Sequence, residues 1–267
     1  MAFGTIASRW YQNKNFWVND PDPLVFEGSD LEEAKIRATV VELCGGTLML
    51  GDNMPKLVKN EGFLKLYKMC LPYYGKTARP VDLFENDYPG IWDLPVETAF
   101  GSWHVTAFFN FDEKNRRICL DFCKLGLDNR SKYLVWDFWK QKLLGQYSGN
   151  METKVEGIST KIFLIKKTPL RPDLLSTDLH LIQGAVEVSG VSWNGKNELS
   201  GVCRRPRGEK GSLFIYVPES YAVREIRVGK KTIKTIFVSR QVVKILLEFK
   251  GKEIYWVICF TENRRRR

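Results

Sequence analysis

The sequence predicts an α+β chain: an alternating strand–helix segment over residues 1–78, then a long antiparallel β-region over residues 79–267. Three observations predict it. Strand and helix signals alternate as far as about residue 78. Beyond Arg79-Pro80, short β-rich runs bounded by Gly, Pro, Asn and Lys recur at roughly 8–12-residue intervals, as in a sandwich or barrel. Of 267 residues, 44% are hydrophobic and 27% charged, which excludes wholesale disorder and leaves ample length for a core.

Asn15 to Val18 reads as a short aromatic strand, ended by Asn19-Asp20-Pro21-Asp22-Pro23, whose prolines forbid its continuation. Ser29-Asp30-Leu31-Glu32 reads as a capping box led by the Ser29 hydroxyl. The helix it opens, Asp30 to Cys44, carries Leu31, Ala34, Ala38 and Val41 on one face, widened by Ile36, Val40 and Leu43. So broad a stripe predicts an exposed apolar face that needs a partner. Gly45-Gly46 stops the helix, Thr47 to Leu50 is an apolar strand ending in Gly51-Asp52-Asn53, and a further helix runs from about Pro55 to Met69. Two parallel strands covered on one side leave ladder groups unpaired, so this segment reads as part of a larger α/β assembly.

In the β-region, Trp103, Val105, Ala107 and Phe109 alternate with His104, Thr106, Phe108 and Asn110. Further runs are Ile118 to Phe122, Tyr133 to Phe138, Lys161 to Ile165, Ala185 to Ser192, Ser212 to Val217, Ile233 to Val238, Val242 to Phe249 and Ile254 to Phe260. Gly229-Lys230-Lys231 and Lys250-Gly251-Lys252 read as hairpin turns. An antiparallel region of this kind is expected to close its own core. Its tryptophans, including Trp92, Trp103, Trp136, Trp139 and Trp193, read as packing residues that would stack on sugar rings only on an exposed face.

The six cysteines form no Cys-x-x-Cys, and Cys119 and Cys123 read as core filler in an apolar run. With only His104 and His180 to complement them, neither a zinc site nor a histidine-based nucleophile is expected, and no cofactor is called for. The net charge of +10 is concentrated after Ser200, where 17 Lys and Arg face 6 Asp and Glu. That surplus invites a nucleic-acid reading. Arg204, Arg205 and Arg207 sit in a turn-like stretch, however, Lys230 and Lys231 in another, and Arg264–Arg267 in a tail, so solvated turns explain it better. No apolar run approaches the roughly 18 residues of a bilayer span, and Met1-Ala2-Phe3-Gly4 does not open a secretory signal. A cytoplasmic location is expected.

Phe16-Trp17-Val18-Asn19-Asp20-Pro21-Asp22-Pro23-Leu24 resembles the W-x-N-D-P-D segment of α-galactosidase-type (melibiase-like) glycoside hydrolases of clan D, family 36 and its raffinose-synthase relatives above all. Arg9-Trp10-Tyr11-Gln12, Gly45-Gly46 with Gly51-Asp52, and Arg79-Pro80-Val81-Asp82-Leu83-Phe84 resemble the family's pattern in the same order. So do Phe109-Asn110-Phe111, the run Tyr133 to Trp139, and His180-Leu181-Ile182-Gln183-Gly184. The resemblance implies that residues 1–78 hold the last two βα units of a (β/α)8 barrel and that residues 79–267 form the C-terminal β-sandwich. It also implies α-galactosides as substrates.

Retaining glycosidases need two carboxyl groups roughly 5–5.5 Å apart. In the resembled family the nucleophile is the Asp of a K-x-D strand and the acid/base an Asp upstream of N-D-P-D. This sequence has no K-x-D, and residues 1–19 contain no Asp or Glu. No catalytic residue therefore carries over, and both carboxylates are expected to precede Met1. Trp17, Asn19, Asp20, Asp22 and Asp52 remain as candidate active-site rim or substrate-binding residues. Asp20 and Asp22, two apart in an extended segment, share a face about 6.5 Å apart and read as rim bracing or sugar contacts. Asp52 reads as a cap for the following helix or as a pocket wall. The function expected is the C-terminal portion of an α-galactosidase-like hydrolase, inactive alone, with an N-terminal barrel subunit or self-association completing it. The alternative is a non-catalytic carbohydrate-binding or scaffolding β-sandwich. Nucleic acid and membrane are not expected partners.

Overall fold

The computed structural model describes residues 3–263, so Met1-Ala2 and the arginine tail Arg264–Arg267 lie outside the described residues. The chain begins with α1 (Phe3–Ser8) and a 3-10 turn at Trp10–Gln12. Helix α2 (Leu31–Cys44) forms where its stripe predicts it. Its cap is Asp30, whose carboxylate accepts the Glu33 amide at 2.9 Å, not Ser29, whose hydroxyl finds no partner among the described residues. Asp30 and Glu33 offer the same spacing one residue on, and a carboxylate is the better acceptor at the positive end of a helix. The chain leaves α2 through Gly45 at φ 65°. The single helix expected from Pro55 to Met69 is two, α3 (Met54–Leu57) and α4 (Glu61–Met69), because the Asn60 side chain accepts the Phe63 amide at 3.1 Å and restarts the helix.

Among the described residues the β-region holds seventeen strands, and every pairing among them is antiparallel. The first eight are β1 (Arg79–Pro80), β2 (Ile91–Thr98), β3 (Gly101–Asn110), β4 (Arg116–Asp121), β5 (Tyr133–Asp137), β6 (Lys142–Tyr147), β7 (Asn150–Val155) and β8 (Ser159–Lys167). Six of these join in the order β1-β2-β3-β8-β5-β6, while β4 and β7 form a separate ribbon. The others are β9 (Asp173–Thr177), β10 (Val188–Trp193), β11 (Glu198–Arg204), β12 (Lys210–Tyr216), β13 (Tyr221–Val228), β14 (Lys231–Ile233), β15 (Ile236–Ser239), β16 (Val242–Glu248) and β17 (Glu253–Glu262). They build a sandwich of two sheets, β15-β16-β12-β9 and β10-β11-β17-β13-β14. Gly229-Lys230 is a two-residue hairpin turn, as expected, with Val228 opposite Lys231. Lys250-Gly251-Lys252 is instead a corner, since β16 and β17 belong to different sheets. The run Ile233 to Val238 likewise divides between β14 and β15, one in each sheet.

One core runs across the change of texture at residue 78. Phe26, Ala34, Ala38, Val41, Leu66 and Met69 pack with Trp92, Trp103, Val105, Phe109, Trp136 and Ile162 on one face of the six-stranded sheet. Phe108, Val135, Phe163 and Ile165 on the other face pack under the β4–β7 ribbon, against Ile118, Leu120, Met151 and Val155. Both faces of β3 are therefore dry beyond His104. The exposed face expected on α2 is covered by the chain itself: Ala34, Ile36, Ala38, Val40, Val41 and Leu43 are all buried. Each buried Val, Leu or Ile there contributes about 1.5–3 kcal/mol. Cys119 and Cys123 are exposed rather than core residues: β4 turns only its Ile118 and Leu120 face to the sheet, and Cys123 lies beyond it in the 3-10 turn Phe122–Leu125.

Arg205, expected in a solvated turn, is buried and ties the sandwich to the helical layer. Its Nη2 donates to the Lys68 carbonyl at 2.7 Å, its Nη1 to the Leu71 carbonyl, and its Nε to Glu209 at 2.7 Å. The guanidinium thus satisfies carbonyls at the end of α4 that the helix leaves open. We expect Arg205→Met to lower stability by about 3–5 kcal/mol, since it strands a buried Glu209 and two carbonyls. Arg205→Lys should fall between the two. Denaturant unfolding midpoints check this ordering.

Candidate active-site rim

Two extended segments lie side by side and parallel at the N-terminal end of the molecule. The Thr47 amide donates to the Asn19 carbonyl at 2.9 Å, the Leu24 amide to the Met49 carbonyl at 2.8 Å, and the Gly51 amide to the Leu24 carbonyl at 2.9 Å. Neither strand read from the sequence, Asn15 to Val18 or Thr47 to Leu50, forms: among the described residues the parallel contact is these hydrogen bonds with one bridge, Leu24 opposite Leu50, and its first member is Asn19 to Leu24. Asn15 to Val18 is a tight reversal in which the Lys14 amide donates to the Trp17 carbonyl at 2.6 Å. Gly46 permits the approach: a Cβ there would lie 1.9 Å from the Asn19 carbonyl oxygen.

Asn13 holds this corner, and nothing in the sequence distinguished it from its neighbours. Buried, it donates through Nδ2 to the Gly45 carbonyl at 2.9 Å and to Thr77 Oγ1 at 2.6 Å, while its Oδ1 accepts the Asn19 amide at 2.8 Å. Asn19 is itself buried and accepts the Trp17 indole N–H at 3.1 Å through Oδ1. Trp17 and Phe16 stay largely in solvent, 52% and 73% exposed, with ring centroids 6.1 Å apart. An aromatic pair so placed can stack on the apolar face of a sugar.

The carboxylates divide by task. Asp20 is exposed, and its Oδ1 accepts the Asp22 amide at 3.1 Å and the Thr47 hydroxyl at 3.2 Å, so it braces the turn. Asp22 is exposed at φ 66°. Asp52 does not cap α3, which is Asn53's role through the Lys56 amide at 3.3 Å. Asp52 instead latches the end of the first segment. It accepts the Phe26 amide at 2.7 Å, the Glu27 amide at 2.8 Å and the Tyr67 hydroxyl at 2.5 Å. Burial pushes its carboxyl up, but the Tyr67 hydroxyl, these two amides and the Arg37 charge outweigh burial and hold it below the usual range. With Glu27, Lys56, Asn60 and Phe63, Asp52 also lines a cleft of about 220 Å³. An ionised carboxylate whose oxygens are already engaged is poorly suited to act as an acid/base.

The two histidines serve structure. His104 Nδ1 lies 2.8 Å from Asp93. His180 is buried between the Pro72 carbonyl at 3.0 Å and the Ile182 amide at 3.0 Å, and burial together with the Arg205 charge pushes it down to about 3. Among the described residues no three His, Cys, Asp or Glu side chains gather as a metal site, and no helix is long and apolar enough to cross a membrane.

No family model and no curated protein matches the chain. Solved structures do. A β-L-arabinopyranosidase of glycoside hydrolase family 27 from Geobacillus stearothermophilus is similar at a TM-score of 0.51 and 15% identity, over 63% of this chain and 41% of that one. The α-galactosidase I of Mortierella vinacea is similar at 0.48 and 15%, over 61% and 43%. The α-galactosidase of Saccharomyces cerevisiae is similar at 0.48 and 15%, over 61% and 50%. The chain thus spans between two fifths and a half of these proteins. The likeness at 0.51 shows a fold shared with that family 27 enzyme over that part of the chain.

The latch makes a prediction independent of any activity. Tyr67→Phe removes a hydroxyl lying 2.5 Å from Asp52 and 2.6 Å from the Leu24 carbonyl, and should cost about 1–3 kcal/mol. Asp52→Ala should cost more, because two backbone amides lose their acceptor. Thermal unfolding of the two variants beside the parent chain checks the order.

Proposed function

We propose that the chain is the C-terminal portion of an α-galactosidase-like glycoside hydrolase, acting on α-galactosides once an N-terminal part supplies the rest of a (β/α)8 barrel. The observation that carries this reading is the parallel pair of segments, whose first member, Asn19 to Leu24, contains the N-D-P-D residues of the W-x-N-D-P-D motif. Residues 1–78 are then the last two βα units and residues 79–267 the C-terminal β-domain. Family 36 is favoured within the clan by the ordered motifs from Arg9 to Gly184. Trp17, Asn19, Asp20, Asp22 and Asp52 form a rim that touches or braces the site, and the half-exposed Trp17 and Phe16 support a sugar-stacking role.

Alone, the chain is inactive in this reading, because no K-x-D occurs in it and the Asp52 oxygens are engaged. Its completing partner is an N-terminal barrel subunit or a further copy of the same segment. A sugar-directed role is favoured over a nucleic-acid one by the ion-pairing of several basic residues, such as Arg204 with Glu253 and Arg240 with Glu219. A second reading, a non-catalytic carbohydrate-binding or scaffolding protein, is favoured by the single core that joins the helices to the sheet.

The purified chain should hydrolyse an aryl α-galactoside no faster than buffer, for want of the carboxylate pair that drives this reaction class. Turnover that survives purification and vanishes in Asp20→Asn or Asp22→Asn would overturn the reading, since those residues would then be catalytic.

A further inference from the structure

A groove of about 320 Å³ opens where the first turn of α2 meets the turns that follow β5 and β7. Its walls carry Glu32 and Lys35 from α2, Asp137 and Trp139 from the β5–β6 connection, and Glu156 and Lys161 from the β7–β8 connection and β8. Trp139 and Lys35 also line an adjoining hollow of about 180 Å³. The Trp139 ring meets Phe138 edge-on at 4.9 Å, and the Lys35 ammonium lies 5.2 Å from its centroid. The Trp139 indole N–H is out of solvent and has no acceptor among the described residues. Indole donors withdrawn from water usually have an acceptor, and one without it bears a desolvation cost.

We propose that this groove binds a neutral saccharide, with Trp139 as the platform beneath the ring. Charge selects the class of ligand. Glu32 is paired with Lys35 at 2.5 Å and Glu156 with Lys161 at 3.2 Å. Asp137 Oδ1 accepts the Lys140 amide at 3.0 Å, and the Lys140 charge lies close by. Three carboxylates thus meet three ammoniums, and the groove attracts neither anions nor cations. What it offers is an aromatic face bordered by alternating strong acceptors and donors. That suits a pyranose, whose C–H face covers an aromatic ring while neighbouring hydroxyls both donate and accept. The volume lies within the range of small-molecule sites. Lys35 is the movable part: its long side chain can swing off the ring while the stem stays on α2. The inference stands apart from the barrel reading, since it uses only residues of α2, β5, β8 and the β5–β6 and β7–β8 connections, and none of the rim.

The test is titration of the full chain with methyl α-D-galactopyranoside, methyl α-D-glucopyranoside and raffinose, followed by the indole N–H resonances in nitrogen-15 spectra. The Trp139 resonance is assigned by its loss in Trp139→Phe. A saturable shift of that resonance is expected in the parent chain, and ligand-observed titration of the variants, which needs no indole reporter, should give an affinity reduced at least about tenfold in Trp139→Ala, the loss of one aromatic anchor. Trp139→Phe should retain most of the affinity, and Lys35→Met, which keeps the stem, should change it without unfolding the chain. Circular dichroism of each variant reports folding. No saturable shift up to about 50 mM sugar, an unchanged ligand-observed affinity in Trp139→Ala, or a preference for glucuronate or inositol hexakisphosphate over the neutral sugars would overturn the proposal.

Discussion

The packing of α2 against the six-stranded sheet sets where every other part of the molecule can lie. Its residues Ala34, Ala38 and Val41 share a core with Trp103, Val105 and Ile162, so the helix cannot move without opening the centre of the sheet. The Asn13 side chain then fastens the carbonyl end of α2 to the turn that precedes the rim and to Thr77. Arg205 fastens the end of α4 to the sandwich. The rim is therefore the end of a chain of fixed contacts that begins in the β-core.

This has a functional consequence. An isolated pair of parallel segments would be unstable, since ladder groups and one face lack cover. Here the inner face is supplied within the chain, and the Asp52–Tyr67 latch ties the first segment to α4. Within the two segments and the reversal before them, Phe16, Trp17, Val18, Met49 and Leu50 remain in solvent. In the proposed reading these five side chains lie at the edge that further barrel strands would occupy.

Residues with strong local chemistry were legible in the sequence. Gly45, the stripe of α2 and the Gly229-Lys230 turn all act through their nearest neighbours, and each stands where its chemistry puts it, whereas the paired segment Asn19 to Leu24 runs through the prolines expected to end it. The misreadings were non-local. Asp30 displaced Ser29 as a cap because two acceptors competed for one helix end. Lys250-Gly251-Lys252 looks like a hairpin until the two sheets it links are known. Arg205 reads as a turn residue because its carbonyl partners are more than a hundred positions earlier in the chain. At the site, Trp17, Asn19 and Asp52 were identifiable by type and place. Asn13 was not, since its three partners come together only in the folded chain.

Co-sedimentation with a complementary α/β piece, one carrying a K-x-D strand and an acid/base Asp, tests the central claim most directly. The account predicts a stable one-to-one complex that hydrolyses an aryl α-galactoside, with both complex and activity weakened by a charged residue at Val18 or Met49. A monodisperse chain that ignores the added piece, with no activity in the mixture, would contradict it.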